Sequence, residues 1–284
     1  MAHRFCGVGE PYEGLVHIVN ERPTWNGNIK FAEERLLDPI RWQKRRRVFV
    51  NSMSDLFHEN VTDEMVDKIF AVMSLAPRHR FQILTKRPER MKAYFADLPD
   101  RERCVQDQIA EIMLGYVSDR EHKRIVDLLP QGWVGIPLRN VWLGVSVEDQ
   151  AAANKRIPLL LDTPAALRFI SAEPLLANLR LNDGLGLMGA MGDLDWVIVG
   201  GESGKSARPC YLTWISSIVE QCKTAGVPVF VKQLGGNLPD WDLSYIERVT
   251  GHSLAHKKGG EISEWPREFR IQEFPRESDW SNRR

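Results

Sequence analysis

Apolar residues gather in six short runs along the chain: 48–52 (VFVNS), 81–85 (FQILT), 141–145 (VWLGV), 167–171 (LRFIS), 196–200 (WVIVG) and 229–233 (VFVKQ). Each is rich in β-branched or aromatic residues and short enough for a strand. Several are apolar throughout rather than alternating, the pattern of parallel strands covered on both faces. Helical periodicity fills the spaces between them. Thr62 is placed to cap a helix with Asp63 and Glu64 at its positive end and Met65, Val66, Ile69, Phe70 and Met73 on one face. Thr213 is placed to cap another, with Trp214, Ile215, Ile218, Val219 and Cys222 on a face and Gly226 ending it. A third helix is expected from about Glu148 to Leu161, with Pro158 kinking or shortening it.

The runs start at 48, 81, 141, 167, 196 and 229, at intervals of 33, 60, 26, 29 and 33 residues. A βα unit takes roughly 30 residues. The long interval therefore carries an insertion, Asp97 to Arg139, whose middle, Arg103 to Leu129, reads as charged and helical. Repeating βα units predict a parallel sheet, either barrel-like or open and doubly wound. Six units are too few to close an eight-stranded barrel. The tail after Gly236, residues 237–284, is polar and punctuated by Trp, and is expected to lie over the sheet or one barrel end. The whole of 1–284 is expected to form one α/β domain.

Composition narrows the class. Lys+Arg and Asp+Glu are both 38, so a net charge of zero gives no support to a nucleic-acid partner. The basic run Lys44–Arg47 directly precedes the first apolar run and reads as the solvated start of a strand. Hydrophobic residues make up 43% of the chain, too many for a disordered one. No apolar run has the length of a membrane span, and Met1 to Glu10 lack the apolar centre of a signal peptide. Cys6, Cys104, Cys210 and Cys222 are far apart with no CxxC pair, so neither a zinc ribbon nor a disulfide framework is indicated. A cytoplasmic protein with reduced thiols and no membrane partner is expected. Trp25, Trp42, Trp133 and Trp142 read as core or loop-packing residues.

Ligands of parallel α/β folds bind beyond the C-terminal ends of the strands. The residues there are Asp55 after the first run, Lys86 and Arg87 after the second, Glu148 after the third, Glu173 after the fourth, Gly200, Gly201, Glu202, Ser203 and Arg208 after the fifth, and Lys232 in the sixth. Carboxylates and cations thus share one rim, the raw material of a site for a small molecule. Glu148, Glu173, Glu202 and Lys232 are the candidates for catalysis. Asp55, Lys86, Arg87, Gly200, Gly201, Ser203 and Arg208 are the candidates for holding a cofactor. The glycines read either as a backbone cradle for an anion or as a tight βα turn; the pattern is neither GxGxxG nor a Walker loop. His58, the only His near a strand end, reads as a hydrogen-bonded structural residue. No metal ligand set is evident.

The ordered motifs VFVNSMSDLF (48–57), ILTKRP (83–88), VWLGVSVEDQ (141–150), RFISAEPL (168–175), WVIVGGESG (196–204) and VFVKQL (229–234) resemble an uncharacterised family named after phage gene products thirty-seven and sixty-eight. Lys258-Gly259-Gly260 and Glu264-Trp265-Pro266 extend the resemblance over nearly the whole chain. The resemblance implies a phage-associated, radical-SAM-like protein with a partial, open parallel βα barrel of the TIM-barrel kind. It also implies an N-terminal cluster of three cysteines ending in Cys-Tyr-Ala, holding a four-iron cluster open to S-adenosylmethionine. This sequence has no such cluster, and Met1 to Phe5 resemble the segment that follows it in relatives. The chain is therefore expected to start one strand late, by a misassigned start or by loss of the cofactor loop. Neither cofactor is assured in this chain; both are expected of a full-length form. The Gly200-Gly201-Glu202 tripeptide also resembles the Gly-Gly-Glu of radical-SAM enzymes, but follows the fifth strand rather than an early one.

Three functions follow as expectations. The first is a radical-SAM-like catalytic barrel lacking its cluster segment. The second is a non-catalytic protein of phage–host interaction, using the insertion and the tail as its partner surface. The third is a divalent-metal hydrolase using the rim carboxylates.

Overall fold

The computed structural model describes residues 10, 12–19, 22–129, 135–181, 193–204, 206–256 and 258–275. Cys6, Trp133 and the Met1–Phe5 segment lie outside them. In chain order the elements are β1 (Val16–Val19), β2 (Arg22–Trp25), α1 (Glu33–Leu36), α2 (Asp38–Arg41), β3 (Arg47–Val50), α3 (Asp63–Leu75), β4 (Arg80–Thr85), α4 (Pro88–Tyr94), α5 (Leu98–Gly115), α6 (Asp119–Leu128), β5 (Val141–Ser146), α7 (Gln150–Leu161), β6 (Leu167–Ala172), β7 (Trp196–Gly200), α8 (Leu212–Ala225), β8 (Val229–Gln233) and α9 (Asp240–Thr250).

All six apolar runs are strands of one sheet, ordered β3-β4-β5-β6-β7-β8, with parallel pairing between β3 and β4 and from β5 through β8. Spatial order equals chain order. A doubly wound sheet reverses order at a switch point; this one does not, so it has the topology of an open, partial βα barrel. Helices α5 and α6 fall in the expected insertion. The antiparallel hairpin β1-β2 was not expected. Its strands are only four residues each, and β2 contains Pro23.

The chain divides into two compact units. The first comprises residues 1–83 and 93–140, the second residues 84–92 and 141–284, so β4 contributes to both.

In the first unit, Thr62 caps α3, its hydroxyl accepting the Met65 N–H at 3.3 Å, as the sequence predicts. Phe70 of α3 lies 5.6 Å from the Phe95 ring, edge to face, and Val66 and Met73 are buried. Ser118 and Glu121 close a capping box at the start of α6. His58 has the structural role expected, its Nδ1 accepting the Asn60 N–H at 3.2 Å.

His79 is fully buried and fixed as one neutral tautomer. Its Nδ1 accepts the Arg46 N–H at 3.1 Å, which leaves Nε2 to donate to Pro39 O at 2.9 Å. Burial above all, then the nearby charges of Arg78, Arg46 and Arg124, push its pKa below the ordinary 6.5. Between that depressed value and 6.5 the unfolded chain binds more protons than the folded one, so stability rises with pH. The stabilisation is complete above pH 6.5 and is lost as pH drops through the folded value. A His79→Gln variant is therefore expected to show a flatter melting-temperature profile between pH 7 and 5 than the parent. Parallel profiles would refute the assignment.

In the second unit, Trp142, Leu167, Phe169 and Trp196 form a buried cluster, with Leu84, Ile198, Phe230 and Phe274 against it. Trp196 meets Trp142 edge to face at 5.8 Å. Gly144 is a register partner of Phe169 on β6, and a Cβ there would come within 2.5 Å of the Phe169 ring. The glycine inside β5 thus makes room for an aromatic. The tail runs back along β8: Val231 N–H donates to Ile271 O at 2.8 Å and Glu273 N–H to Val229 O at 3.0 Å. Trp196 Nε1 donates to Glu273 O at 2.8 Å. This covers an edge strand that would otherwise present free backbone groups.

One helix cap is corrected, and the helix after β5 keeps its expected end. Thr213 does not cap α8; the helix begins at Leu212 after Tyr211, and the Leu212 N–H is taken by Asp242 Oδ2 of α9 at 2.9 Å. A carboxylate from elsewhere in the fold satisfies the orphan donor that a local hydroxyl was expected to take. Pro158 lies inside α7, which starts at Gln150 with Asp149 as its cap and runs on to Leu161. Gly226 ends α8 as expected.

Candidate functional site

In the second unit, the chain leaving β4, β5, β6 and β7, and the penultimate residue of β8, supply the rim residues. Each apolar strand ends by handing the backbone to a polar residue one or two positions on, or one before its end. Lys86 follows β4, Glu148 lies two past β5, Glu173 one past β6, Glu202 two past β7, and Lys232 is the fourth residue of β8. Backbone hydrogen bonds tie these ends together. Leu176 N–H donates to Glu148 O and Leu175 N–H to Gly200 O, both at 2.9 Å, so the turn after β6 is fastened to the ends of β5 and β7.

Each carboxylate holds its own cation. Glu148 accepts from Lys86 Nζ through Oε1 and from Arg156 Nη1 through Oε2, the latter at 2.8 Å. Glu173 Oε2 accepts from Lys232 Nζ at 2.8 Å, which joins β6 to β8 two strands away. Glu202 grips Arg208 with both oxygens, Nε to Oε2 at 2.8 Å and Nη2 to Oε1 at 3.1 Å, and takes the Arg208 N–H at 2.9 Å. This fork geometry is the strong form of an ion pair.

The pairs are asymmetric. The Glu148, Glu173 and Glu202 side chains are 12%, 18% and 29% exposed, whereas Lys86, Lys232 and Arg208 are 55%, 53% and 56% exposed. The carboxylates are the anchored half and the cations face solvent. Burial raises the pKa of Glu148, but Lys86 and then Arg156 outweigh it and hold the carboxyl below its ordinary range. The Arg208 guanidinium and N–H lower that of Glu202. Arg208 is raised mainly by Glu202 and also feels the charge of Glu148, which puts the ends of β5 and β7 in one electrostatic neighbourhood.

Other candidates are placed differently. Asp55 belongs to the first unit, where its Oδ1 accepts the Phe57 N–H at 2.9 Å. Arg87 N–H donates to Thr85 Oγ1 at 2.9 Å. Ser203 is exposed. Gly200 and Gly201 are buried, and the Gly201 N–H donates to Gln233 O at 3.2 Å. A Cβ on Gly201 would meet Leu234 O at 2.5 Å and Gly235 Cα at 2.7 Å. The close backbone approach that these glycines permit is made by the chain's own segment after β8.

Arg156 was missed by sequence reasoning. The available signal was an Arg in the helical stretch after Glu148, next to Ile157 and three residues after Ala153, both buried on the inner face of α7. Gln233, buried at the end of β8, was also missed as a support: its Nε2 donates to Gly201 O at 2.6 Å.

The thiols do not fit the ligand set of an iron–sulfur cluster among the described residues. Cys210 and Cys222 are fully buried, and burial pushes both thiols up to about 12, so they stay protonated. Cys104 lies in the other unit, beside Arg101 and Asp100. No group of three or more His, Cys, Asp or Glu side chains placed to hold a metal occurs among the described residues. No described helix is long and apolar enough to cross a membrane.

A family model described as "Protein of unknown function (DUF5131)" matches residues 1–266. The chain belongs to that family. No curated protein and no solved structure matches the chain.

Proposed function

We propose that this chain is a radical-SAM-like catalytic barrel of phage association, acting in the cytoplasm, whose rim binds a small molecule carrying an anionic and an amino group. The amino-acid end of S-adenosylmethionine has that chemistry. The observation that carries the reading is the threefold repetition of a shielded Glu holding a half-exposed cation at strand ends of one sheet. Ion pairs this exposed add little to stability, with a median of about 0–1 kcal/mol. Ligand recognition accounts for them better. An incoming carboxylate competes for Lys232, Lys86 or Arg208, and the Glu released in part turns to the ligand's ammonium or hydroxyl groups. The cost of the exchange is small because both partners stay charge-paired throughout. The described thiols do not suit a cluster, and the role of the rim residues is to bind and orient the ligand.

The test is isothermal titration calorimetry of the full chain with S-adenosylmethionine. Saturable binding is expected, weakened about tenfold or more by Glu173→Gln and by Lys232→Ala, since each removes one charge-assisted hydrogen bond worth about 1.5–3 kcal/mol. Absence of saturable binding to the parent protein, or unchanged affinity in both folded variants, would overturn the reading.

A further inference from the structure

The first unit contains a cluster of guanidinium groups for which no counter-charge is found among the described residues. Arg46 immediately precedes β3, Arg78 lies two residues before β4, and Arg124 is on α6. The strand starts adjoin, with Arg80 N–H donating to Arg46 O at 2.9 Å. The Arg46 guanidinium sits 4.6 Å over the Trp42 ring, and Trp42 meets His79 edge to face at 5.6 Å. Arg78 and Arg124 lie close enough for the charge of Arg124 to weaken the hold of Arg78 on its proton, an effect second only to burial. All three arginine charges act on His79.

Such groups normally sit in water or against carboxylates. Here Nε of Arg78 and both Nε and Nη2 of Arg124 are shut off from solvent and have no hydrogen-bond acceptor among the described residues. Arg78 Nη2 donates to Ile40 O at 3.3 Å, which fixes that side chain in place. Glu121, one helical turn before Arg124, is already taken by the Ser118 N–H and hydroxyl and by Arg41. Buried polar groups in folded proteins are nearly always hydrogen-bonded, and buried like charges need a partner of opposite sign. His79 does not supply it, being held neutral by Arg46 N–H and Pro39 O.

We propose that Arg78 and Arg124, with Arg46 flanking them, form a binding site for a phosphate-type oxyanion. The planar guanidinium presents several N–H donors in a fixed fork suited to phosphate oxygens. Three orphan donors on two arginines match the several acceptors of one such group. The balanced net charge of the chain does not oppose this, because recognition depends on the local cluster. The run Lys44–Arg47 acquires a role beyond that of a solvated strand start, as its third residue flanks the site and the others widen the positive surface around it. Free phosphate compounds and the phosphodiester of a nucleic acid share this chemistry. The site uses none of the rim residues and stands whether or not the rim binds S-adenosylmethionine.

The test uses the full chain and two probes: inorganic pyrophosphate by calorimetry, and a fluorescein-labelled oligothymidylate by anisotropy at several salt concentrations. At least one probe is expected to saturate, with affinity reduced about tenfold or more by Arg124→Gln and by Arg78→Gln. Arg103→Gln, which removes an exposed charge elsewhere in the same unit, should leave it unchanged. Saturation by pyrophosphate alone identifies a free oxyanion. Saturation by the oligonucleotide, with the salt slope reduced by about one in Arg124→Gln, identifies a phosphodiester. If Arg78→Gln fails to fold for loss of its bond to Ile40, Arg124→Gln decides, because its Nε and Nη2 make no hydrogen bond among the described residues. Failure of both probes to saturate overturns the proposal, as does an equal loss in Arg103→Gln and Arg124→Gln.

Discussion

Gly201→Ala is expected to destabilise the protein by about 3 kcal/mol or more, beyond the usual cost of one extra methyl in a packed site. The methyl would meet Leu234 O at 2.5 Å, Gly235 Cα at 2.7 Å and Cys210 Cβ at 3.0 Å. Two of these are backbone atoms with no freedom to swing aside. Gly235 is itself held at φ +117°, and a Cβ on Gly259 would lie 2.6 Å from Gly235 O, so the neighbouring strand end has nowhere to retreat. The Gly201 N–H bond to Gln233 O and the Gln233 side-chain bond to Gly201 O fix the pair from both sides. Urea denaturation at pH 7 measures the loss. Gly115→Ala is the matched control: it sits at the end of α5 with open space around its Cα, and alanine there should be neutral or stabilising by up to about 1 kcal/mol. Equal stability of Gly201→Ala and the parent would show that the three chain segments separate more readily than their geometry implies.

The same glycines show how far a sequence carries an argument. The six strands were legible because a short, wholly apolar run between turn residues has few other fates, and four of the five intervals between them, at about 30 residues each, implied βα repetition. The barrel-type order needed coordinates to separate it from a doubly wound sheet, since both have the same repeat. Glu148, Glu173, Glu202 and Lys232 could be named because parallel strands send their ends to one side. Their partners could not all be named. Lys232 and Glu173 are 59 residues apart and belong to strands that are not neighbours, so the pair exists only through the register of β7 between them. Arg156 reaches Glu148 from a helix whose inner face looked purely apolar. Gly200 and Gly201 admitted two readings, a ligand cradle or a tight turn, and the structure shows a third use in the contact with the segment after β8. The arginine cluster was invisible because β3 and α3 lie between its members at 46 and 78, and β4, α4 and α5 between 78 and 124. Only the first lay in a basic run.

Arg101→Met is expected to cost about 3 kcal/mol at pH 7, the low end for stripping one partner from a shielded charge pair. Asp67 of α3 is 4% exposed, and its carboxylate is held by Tyr94 Oη at 2.7 Å and by Arg101 Nη1 at 3.2 Å. Burial raises its pKa above the usual 3.8, while the Tyr94 hydroxyl and the Arg101 charge oppose that rise without cancelling it. Removing Arg101 leaves burial and the charges of Asp63 and Asp100 opposed by Tyr94 alone, so the folded-state pKa rises further. A carboxyl whose folded pKa lies above its unfolded one takes up a proton first in the folded state. Its stabilising contribution is complete below the unfolded value and is lost as pH climbs through the folded value. The deficit of Arg101→Met should therefore shrink as pH is lowered from 7 toward 4, the reverse of ordinary acid denaturation. Asp100 and Asp63 also pair with Arg101, but Arg103 holds Asp100 as well and Asp63 is half-exposed, so the loss falls mainly on Asp67. Denaturant titrations of both proteins at pH 7 and pH 5 give the comparison. A deficit of the same size at both values would mean that Arg101 supports the fold by packing over the Tyr94 ring, 5.5 Å away, and not by its charge. Adding Asp67→Asn to Arg101→Met removes the stranded carboxylate while keeping a group that can bond Tyr94, and should restore most of the stability at pH 7.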